Sequence, residues 1–131
     1  MATTRTRPLS PHLSIWKWGP HMAVSIAHRV CGVGLATVGT LMFVWWLAAL
    51  ATGPDAYGTF LSWATWPPAW IVPIGLTLAF FLHLGNGLRH FVLDAGAGYE
   101  LKTNKAGAIA VFAFAFLATG AMWLFIFARG L

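Results

Sequence analysis

The chain has 131 residues, of which 59% are hydrophobic and only 8% are charged, and its formal net charge is +5. Ordinary soluble domains carry about 25% charged residues, so this composition argues against a soluble domain and indicates a small helical membrane protein. The positive charge lies mainly beside apolar segments, which favours a role in membrane topology and gives little support to nucleic-acid binding.

The first 20 residues contain Pro8, Pro11 and Pro20, which prevent one continuous helix. We expect this segment to lie along the membrane surface or against a soluble partner. It has no continuous apolar core followed by a small-residue cleavage site, so no cleavable signal peptide is predicted. Too few residues precede Arg7 for a mitochondrial transit peptide, and a mature bacterial chain is therefore favoured.

Three long apolar runs follow, at about residues 25–51, 69–93 and 106–128. Each exceeds the roughly 20 residues that a helix needs to cross about 30 Å of hydrocarbon, and none alternates like a barrel strand. The sequence therefore predicts an all-α membrane protein with one domain, residues 1–131, in which three transmembrane helices follow the N-terminal surface segment. The prolines at residues 67 and 68 should end any helix before the second run, and glycines after Asp94 should form a turn.

Lysine and arginine mark one side of the membrane. Arg5, Arg7 and Lys17 precede the first run, Lys102 and Lys105 lie between the second and third runs, and the loop after the first run contains neither residue type. By the positive-inside rule, the N-terminus and the second loop face the cytoplasm and the C-terminus lies outside. We expect a multi-pass protein of the bacterial inner membrane, a mitochondrial location being less favoured.

The first run carries small residues, which allow close approach of a neighbouring helix, at Gly32, Ala36, Gly39 and Thr40. Its Cys31 is the only cysteine of the chain, so an intrachain disulfide is impossible and a cysteine-based metal site is not indicated. The third run contains no ionisable side chain. We interpret it as an element for packing and membrane insertion.

Ionisable side chains within or at the ends of the apolar runs are few: His28, Arg29, His83, Arg89, His90 and Asp94. Insertion of such a residue costs at least about 2.5 to 3.5 kcal/mol, so each one needs a partner or a function. Counted back from Asp94, His83 lies roughly 16 Å from the inner boundary, close to mid-membrane. Arg89 and His90 lie within reach of the headgroups.

His83 and His90 are seven residues apart and share a helix face, and Gly87 lies one turn from His83 on that face. The missing Cβ leaves room for a flat macrocycle beside the imidazole, as an axial haem ligand requires. A buried histidine bonded to another helix explains His83 equally well, and His90 alone fits an interfacial residue. For Arg89, a membrane anchor that pairs with Asp94 is the favoured interpretation.

Ser25, His28 and Arg29 lie on one helix face near the cytoplasmic end of the first run. A hydroxyl and a guanidinium in a water-poor crevice suit a neutral carbonyl ligand whose oxygen becomes anionic on reduction, and a quinone is such a ligand. The alternative is structural: Arg29 would reach the headgroups as an anchor, and Ser25 would cap the helix.

Two segments, RPLSPHLSIWKWGPHMAVSIAHR and HLGNGLRHFVLD, resemble the signature segments of the cytochrome b556 subunits of succinate dehydrogenase, the larger of the two membrane anchors of respiratory complex II. The resemblance spans nearly the whole chain in order. It departs from the family at Cys31, where members usually carry serine or threonine. The matching residues are Arg7, Pro8, Leu13, Ser25, His28, Arg29, His83, Gly87, Arg89, His90 and Asp94.

The resemblance implies that His83 is an axial ligand of a haem b iron, and that a second anchor subunit supplies the other ligand. It implies that His28 and Arg29 lie near the haem propionates. Gly87 and His90 complete the expected haem surroundings.

The same resemblance implies a ubiquinone site formed by Ser25 and Arg29, with Leu13, Trp18 and Ile26 as apolar wall residues. It also implies an iron–sulfur subunit and a flavoprotein subunit at the cytoplasmic face. Electrons from succinate would pass through FAD and iron–sulfur clusters in those subunits to ubiquinone. The anchor itself would not carry the catalytic core, and this chain has no FAD motif.

Two alternatives remain within electron transfer. The first, a runner-up, is the anchor of a fumarate reductase, since sequence does not set the direction of the reaction. A self-contained cytochrome would use His28 together with His83 as its two ligands. A small transporter or channel is disfavoured, because the chain has neither inverted repeats nor broken helices.

Overall fold

The computed structural model describes residues 10–130, apart from the side chain of Leu13. Within this range six α-helices follow one another: α1 (His12–Ile15), α2 (Pro20–Gly34), α3 (Thr40–Thr52), α4 (Pro54–Ala64), α5 (Ile71–Asp94) and α6 (Leu101–Ala128). A π-helical turn, Leu35–Gly39, joins α2 to α3, and a 3-10 turn, Pro67–Trp70, leads into α5. Arg5, Arg7 and Pro8, which contributed to the predictions, lie outside the described residues.

Three continuous helical stretches are long and apolar enough to cross a membrane. We call Pro20–Thr52 the first span, Pro67–Asp94 the second span and Leu101–Ala128 the third span; they contain 33, 28 and 28 residues. The predicted all-α membrane architecture with three transmembrane helices is therefore confirmed. Each span begins before its apolar run, because a helix can continue into the interfacial region of the membrane. The first two spans begin with proline, which costs no hydrogen bond in the first turn of a helix.

The turn between α5 and α6 depends on glycine. Gly96 has φ +83° and Gly98 has φ +78°, values that L side chains rarely adopt. The Gly96 amide donates to the Leu93 carbonyl at 2.8 Å, which closes the end of α5. The turn predicted after Asp94 is present, and it returns the chain into the third span after only a few residues.

The connection between the first and second spans contains α4, a helix that the sequence analysis did not predict. It packs against α3 through aromatic rings: the Trp45 ring lies 5.0 Å from the Phe60 ring and 5.6 Å from the Trp63 ring, both edge to face. Tryptophan is enriched where membrane meets water, so this cluster suits a helix that lies at the interface.

The three spans pack against one another, because α5 contacts both α2 and α6 and α2 also contacts α6. The buried core is small and built from Val24, Leu82, Ala108, Val111 and Ala115. Alanine and glycine let the helices approach closely, and a Cβ atom on Gly85 would lie only 3.1 Å from Phe114. Most large apolar side chains point outward instead, toward lipid or another subunit.

The first span contains an irregular turn near its middle. The π-helical segment Leu35–Gly39 follows Gly32, and the Thr37 hydroxyl bonds back to the Val33 carbonyl at 2.8 Å. Gly39, at the end of the segment, lies against Leu76 of α5, since a Cβ there would be 3.7 Å from the Leu76 methyl group. Single π turns often accompany functional sites in helices, and this one lies just beyond the site described next.

Candidate functional site

The histidines of the first two spans meet at the seam between α2 and α5. The rings of His28 and His83 stack at a centroid distance of 3.9 Å with an interplanar angle of 13°. The His90 ring lies 5.7 Å from that of His28. Spacing alone predicted that His83 and His90 share a face, and the structure adds that His28 contacts both of them from the neighbouring helix.

The His83 ring is held in one orientation by a backbone contact. Its Nδ1 atom lies 3.2 Å from the carbonyl oxygen of His28. A carbonyl oxygen can only accept, so Nδ1 is the donor in this contact, and in the neutral ring Nε2 then keeps its lone pair. Histidines that bind metals usually show this arrangement, with one ring nitrogen bonded to the protein and the other left for the metal. The two interpretations of His83, bonded to another helix and available as a ligand, are therefore compatible.

Gly32 makes room for the His83 ring. A Cβ atom on Gly32 would lie 3.0 Å from Cε1 and 3.4 Å from Nδ1 of His83, closer than ordinary van der Waals contact. The sequence predicted close approach at Gly32 and Gly39 but did not identify what approaches. At Gly32 it is the imidazole itself, so this glycine belongs to the site.

The environment of the histidines fits a haem. A Cβ built on Gly87 would meet no atom within 4 Å, so the face that carries His83 has open space one turn away. The Nε2 atom of His28 is buried and has no hydrogen-bond partner within residues 10–130. A buried polar atom without a partner costs about 1 to 3 kcal/mol, and an acidic group on a bound molecule would remove that cost. An available imidazole nitrogen, adjacent space and an unpaired polar atom together suit a porphyrin with acidic substituents.

His28 and His83 are not arranged as two ligands of one iron. Their rings stack face to face at 3.9 Å, so each imidazole lies directly against the other with no gap for a flat cofactor between them. This contact does not favour the self-contained cytochrome, in which His28 and His83 would be the two ligands.

The residues expected to bind a quinone lie at the start of the first span and on its approach. Ser25 is half-buried, Arg29 is exposed, and Ile26 and Trp18 are 42% and 61% exposed. Trp18 packs edge to face on Trp16 at 5.3 Å. The side chain of Leu13 lies outside the described part of the chain. Trp18 and Ile26 are therefore left largely uncovered by the described part of the chain.

The alternative role of Ser25 as a helix cap is wrong. The helix α2 begins at Pro20, and its N-cap residue is Gly19. Ser25 lies more than a turn inside the helix, where its hydroxyl is too far along to bond the first free amides. Its side chain therefore remains available for another partner.

Arg89 belongs to a polar network that the sequence analysis missed. It donates to Asn86 Oδ1 at 3.3 Å and to Asn104 Oδ1 at 2.8 Å, rather than to Asp94 as expected. Asn86 is fully buried and joins this arginine on α5, whereas Asn104 lies on α6. A neutral amide within an apolar run also needs a partner, and this signal was present in the sequence. The network ties the second span to the third.

Fold and site together define a multi-pass membrane protein with a cluster of histidines between two of its spans. Residues 3–127 match the sequence model of a family described as the succinate dehydrogenase/fumarate reductase transmembrane subunit. The chain belongs to this family, and the family predicted from the two signature segments is confirmed.

Individual proteins that resemble the chain carry names that agree with this family. Over 123 residues the chain is 35% identical to the mitochondrial succinate dehydrogenase cytochrome b560 subunit of Mus musculus, covering 92% of this chain and 72% of that protein. It is 36% identical over 100 residues to the cytochrome b556 subunit of Paracoccus denitrificans, which covers 73% of each chain. It is 33% identical over 118 residues to the cytochrome b556 subunit of Rickettsia felis, covering 90% and 91%.

Proposed function

We propose that the chain is the cytochrome b membrane-anchor subunit of a succinate dehydrogenase, and that it binds haem b jointly with a second anchor subunit. One observation carries the haem assignment: the His83 ring is fixed by its Nδ1 proton on the His28 carbonyl at 3.2 Å, which leaves Nε2 as a ligand. Family membership supports the complex, because the relatives are named as cytochrome b subunits of succinate dehydrogenase.

Each residue of the histidine cluster has a separate role in this proposal. His83 supplies one axial nitrogen, Gly32 admits its ring, and Gly87 leaves space for the macrocycle. His28, whose Nε2 lacks a partner, and the exposed Arg29 and His90 are suited to the acidic propionates. A bound haem supplies reversible one-electron transfer. The second axial ligand is assigned to the partner anchor, because His28 stacks on His83.

We assign the ubiquinone-reduction site to the N-terminal end of the first span, where His28 also lies. Ser25 and Arg29 are one turn apart on α2, and both can donate hydrogen bonds to carbonyl oxygens. Such donors stabilise a quinone most when its oxygens gain negative charge, so they favour reduction beyond simple binding. Leu13, Trp18 and Ile26 are proposed to cover the apolar part of the ring, together with residues of partner subunits.

The orientation follows the distribution of positive charge. The N-terminal segment, Lys102 and Lys105 face the cytoplasm in this proposal, and the protein lies in a bacterial inner membrane. The flavoprotein with FAD and the iron–sulfur subunit would bind at the same face, next to the proposed quinone residues. This placement keeps the path from the last iron–sulfur cluster to the quinone short.

Absorption spectroscopy tests the shared haem. The chain is purified alone and together with the subunits that co-purify with it, and reduced-minus-oxidised spectra are recorded. A b-type spectrum only in the complex supports a ligand from each anchor. A full spectrum in the isolated chain supports a self-contained cytochrome, and no haem in either sample ends the proposal. The direction of the reaction is tested by comparing succinate oxidation with fumarate reduction in the same complex.

A further inference from the structure

A groove follows the seam between α5 and α6. It consists of two cavities of about 220 Å³ and 230 Å³, and both are lined by Gly107. The first cavity has Arg89, Thr103 and Asn104 among its lining residues, at the cytoplasmic end of the two helices. The second cavity continues toward the centre of the third span, past Leu88, Ala110 and Phe114. Both cavities expose mainly apolar surface, and Arg89 is the one charged side chain among their lining residues; we call its end of the groove the head.

The cation at the head of the groove has no acidic partner within residues 10–130. Arg89 bonds to the neutral amides of Asn86 and Asn104, which hold the guanidinium in place without balancing its charge. These bonds use two of its five N–H donors. A guanidinium fixed in this way is suited to a phosphate, which it can bind through two parallel hydrogen bonds. Lys102 and Lys105, on the first turns of α6, add positive charge at the same end.

The groove lies on the side of α5 opposite to the histidines. At about 100° per residue, Gly85, Leu88 and Arg89 are rotated by roughly 140° to 240° from His83. The proposed function assigns the face around His83 to the partner anchor, and this step of the reasoning rests on that assignment. The opposite face, which holds the groove, is then left to lipid.

We propose that this groove binds an anionic glycerophospholipid, with its phosphate on Arg89 and one acyl chain in the second cavity. The apolar lining of the groove suits an acyl chain, Arg89 at one end suits the phosphate, and the position of Arg89 near the end of the second span matches the depth of lipid phosphates. Such a lipid would balance the charge of Arg89 and fill the space beside Gly107. It would thereby join the second and third spans at their cytoplasmic ends.

Native mass spectrometry of the whole complex tests this proposal. The complex is placed in phosphatidylcholine nanodiscs that contain a minor fraction of phosphatidylglycerol, and the phosphatidylglycerol molecules retained after release are counted. We expect one more retained molecule in the parent than in Arg89→Gln, whose occupancy should fall about tenfold because charge-assisted bonds are lost. Ala110→Leu, which fills the second cavity, should have a similar effect. Ala113→Leu, on the same helix but lining neither cavity, is the matched control and should retain the lipid.

Equal retention by the parent, Arg89→Gln and Ala110→Leu would overturn the proposal. If Arg89→Gln fails to assemble, Ala110→Leu and its control decide the question. A photo-reactive residue at position 110 that crosslinks a partner subunit instead of lipid would also overturn it. The haem spectrum is recorded for every sample, so loss of the lipid with a normal spectrum is distinguished from failure of the proposed haem function.

Discussion

A single methyl group added at Gly32 should disturb the haem site. In Gly32→Ala the new Cβ would lie 3.0 Å from His83 Cε1. This is closer than ordinary van der Waals contact, so the ring or the helix must shift by a few tenths of an ångström. The Nδ1 contact with the His28 carbonyl is already 3.2 Å long, and a shift of this size away from α2 would bring it to the limit of hydrogen-bonding distance.

The magnitude follows from two costs. Overpacking by one methyl group costs about 1 to 3 kcal/mol, and loss of a neutral hydrogen bond costs about 0.5 to 1.5 kcal/mol. If even about 1.4 kcal/mol of this falls on the haem-bound state, haem affinity drops about tenfold. The assay is the haem content of the purified complex, measured from reduced-minus-oxidised spectra, together with the rate of haem transfer to an excess of apomyoglobin.

Gly34→Ala is a matched control. It lies in the same helix, and a Cβ there would meet no atom within 4 Å, so it shares only the intrinsic effect of alanine on a helix. We expect Gly34→Ala to keep normal haem content and slow haem transfer, while Gly32→Ala loses haem faster. Identical haem content and transfer rates in the two variants would refute the packing of Gly32 on His83.

Two further predictions concern the quinone site and the topology. Arg29→Lys keeps the charge but loses the planar group with several donors, so ubiquinone reduction should fall roughly tenfold or more while succinate oxidation by a soluble dye persists; Ser25→Ala should do the same more mildly. Normal ubiquinone rates in both variants would remove the assignment. For topology, single cysteines at Thr59 and Thr103, in a background with the native cysteine replaced by serine, should react with an impermeant reagent from outside only at Thr59. Labelling at Thr103 from outside would reverse the orientation.

Composition and segment length were sufficient to predict the three spans, because each apolar run is longer than the membrane requires. They were not sufficient to predict α4. That helix lies in a connection with mixed polarity and is positioned by the packing of Phe60 and Trp63 on Trp45, which is a tertiary contact. The spacing of residues within the connection carries no information about the Trp45 ring, which lies on α3.

The sequence predicted that two histidines share a helix face, and it missed the contacts that they make with the neighbouring helix. Within one helix, the period of about 3.6 residues places His83 and His90 on a common face. His28 and His83 are 55 residues apart in the sequence. Their stacking depends on how α2 and α5 align, and no local sequence pattern encodes that alignment. The partners of Arg89 were missed for a different reason: an arginine in an apolar run suggests an acidic partner, whereas the actual partners are two neutral asparagines.

The most direct test of the central claim is the reduced-minus-oxidised spectrum of the assembled complex with His83→Ala, compared with His90→Ala. Both changes remove an imidazole from the same face of α5, about two turns apart, and only His83 has its Nδ1 proton held by a backbone carbonyl. We predict that His83→Ala abolishes or grossly alters the low-spin haem spectrum, whereas His90→Ala leaves it in place. An unchanged spectrum in the His83 variant would contradict the account.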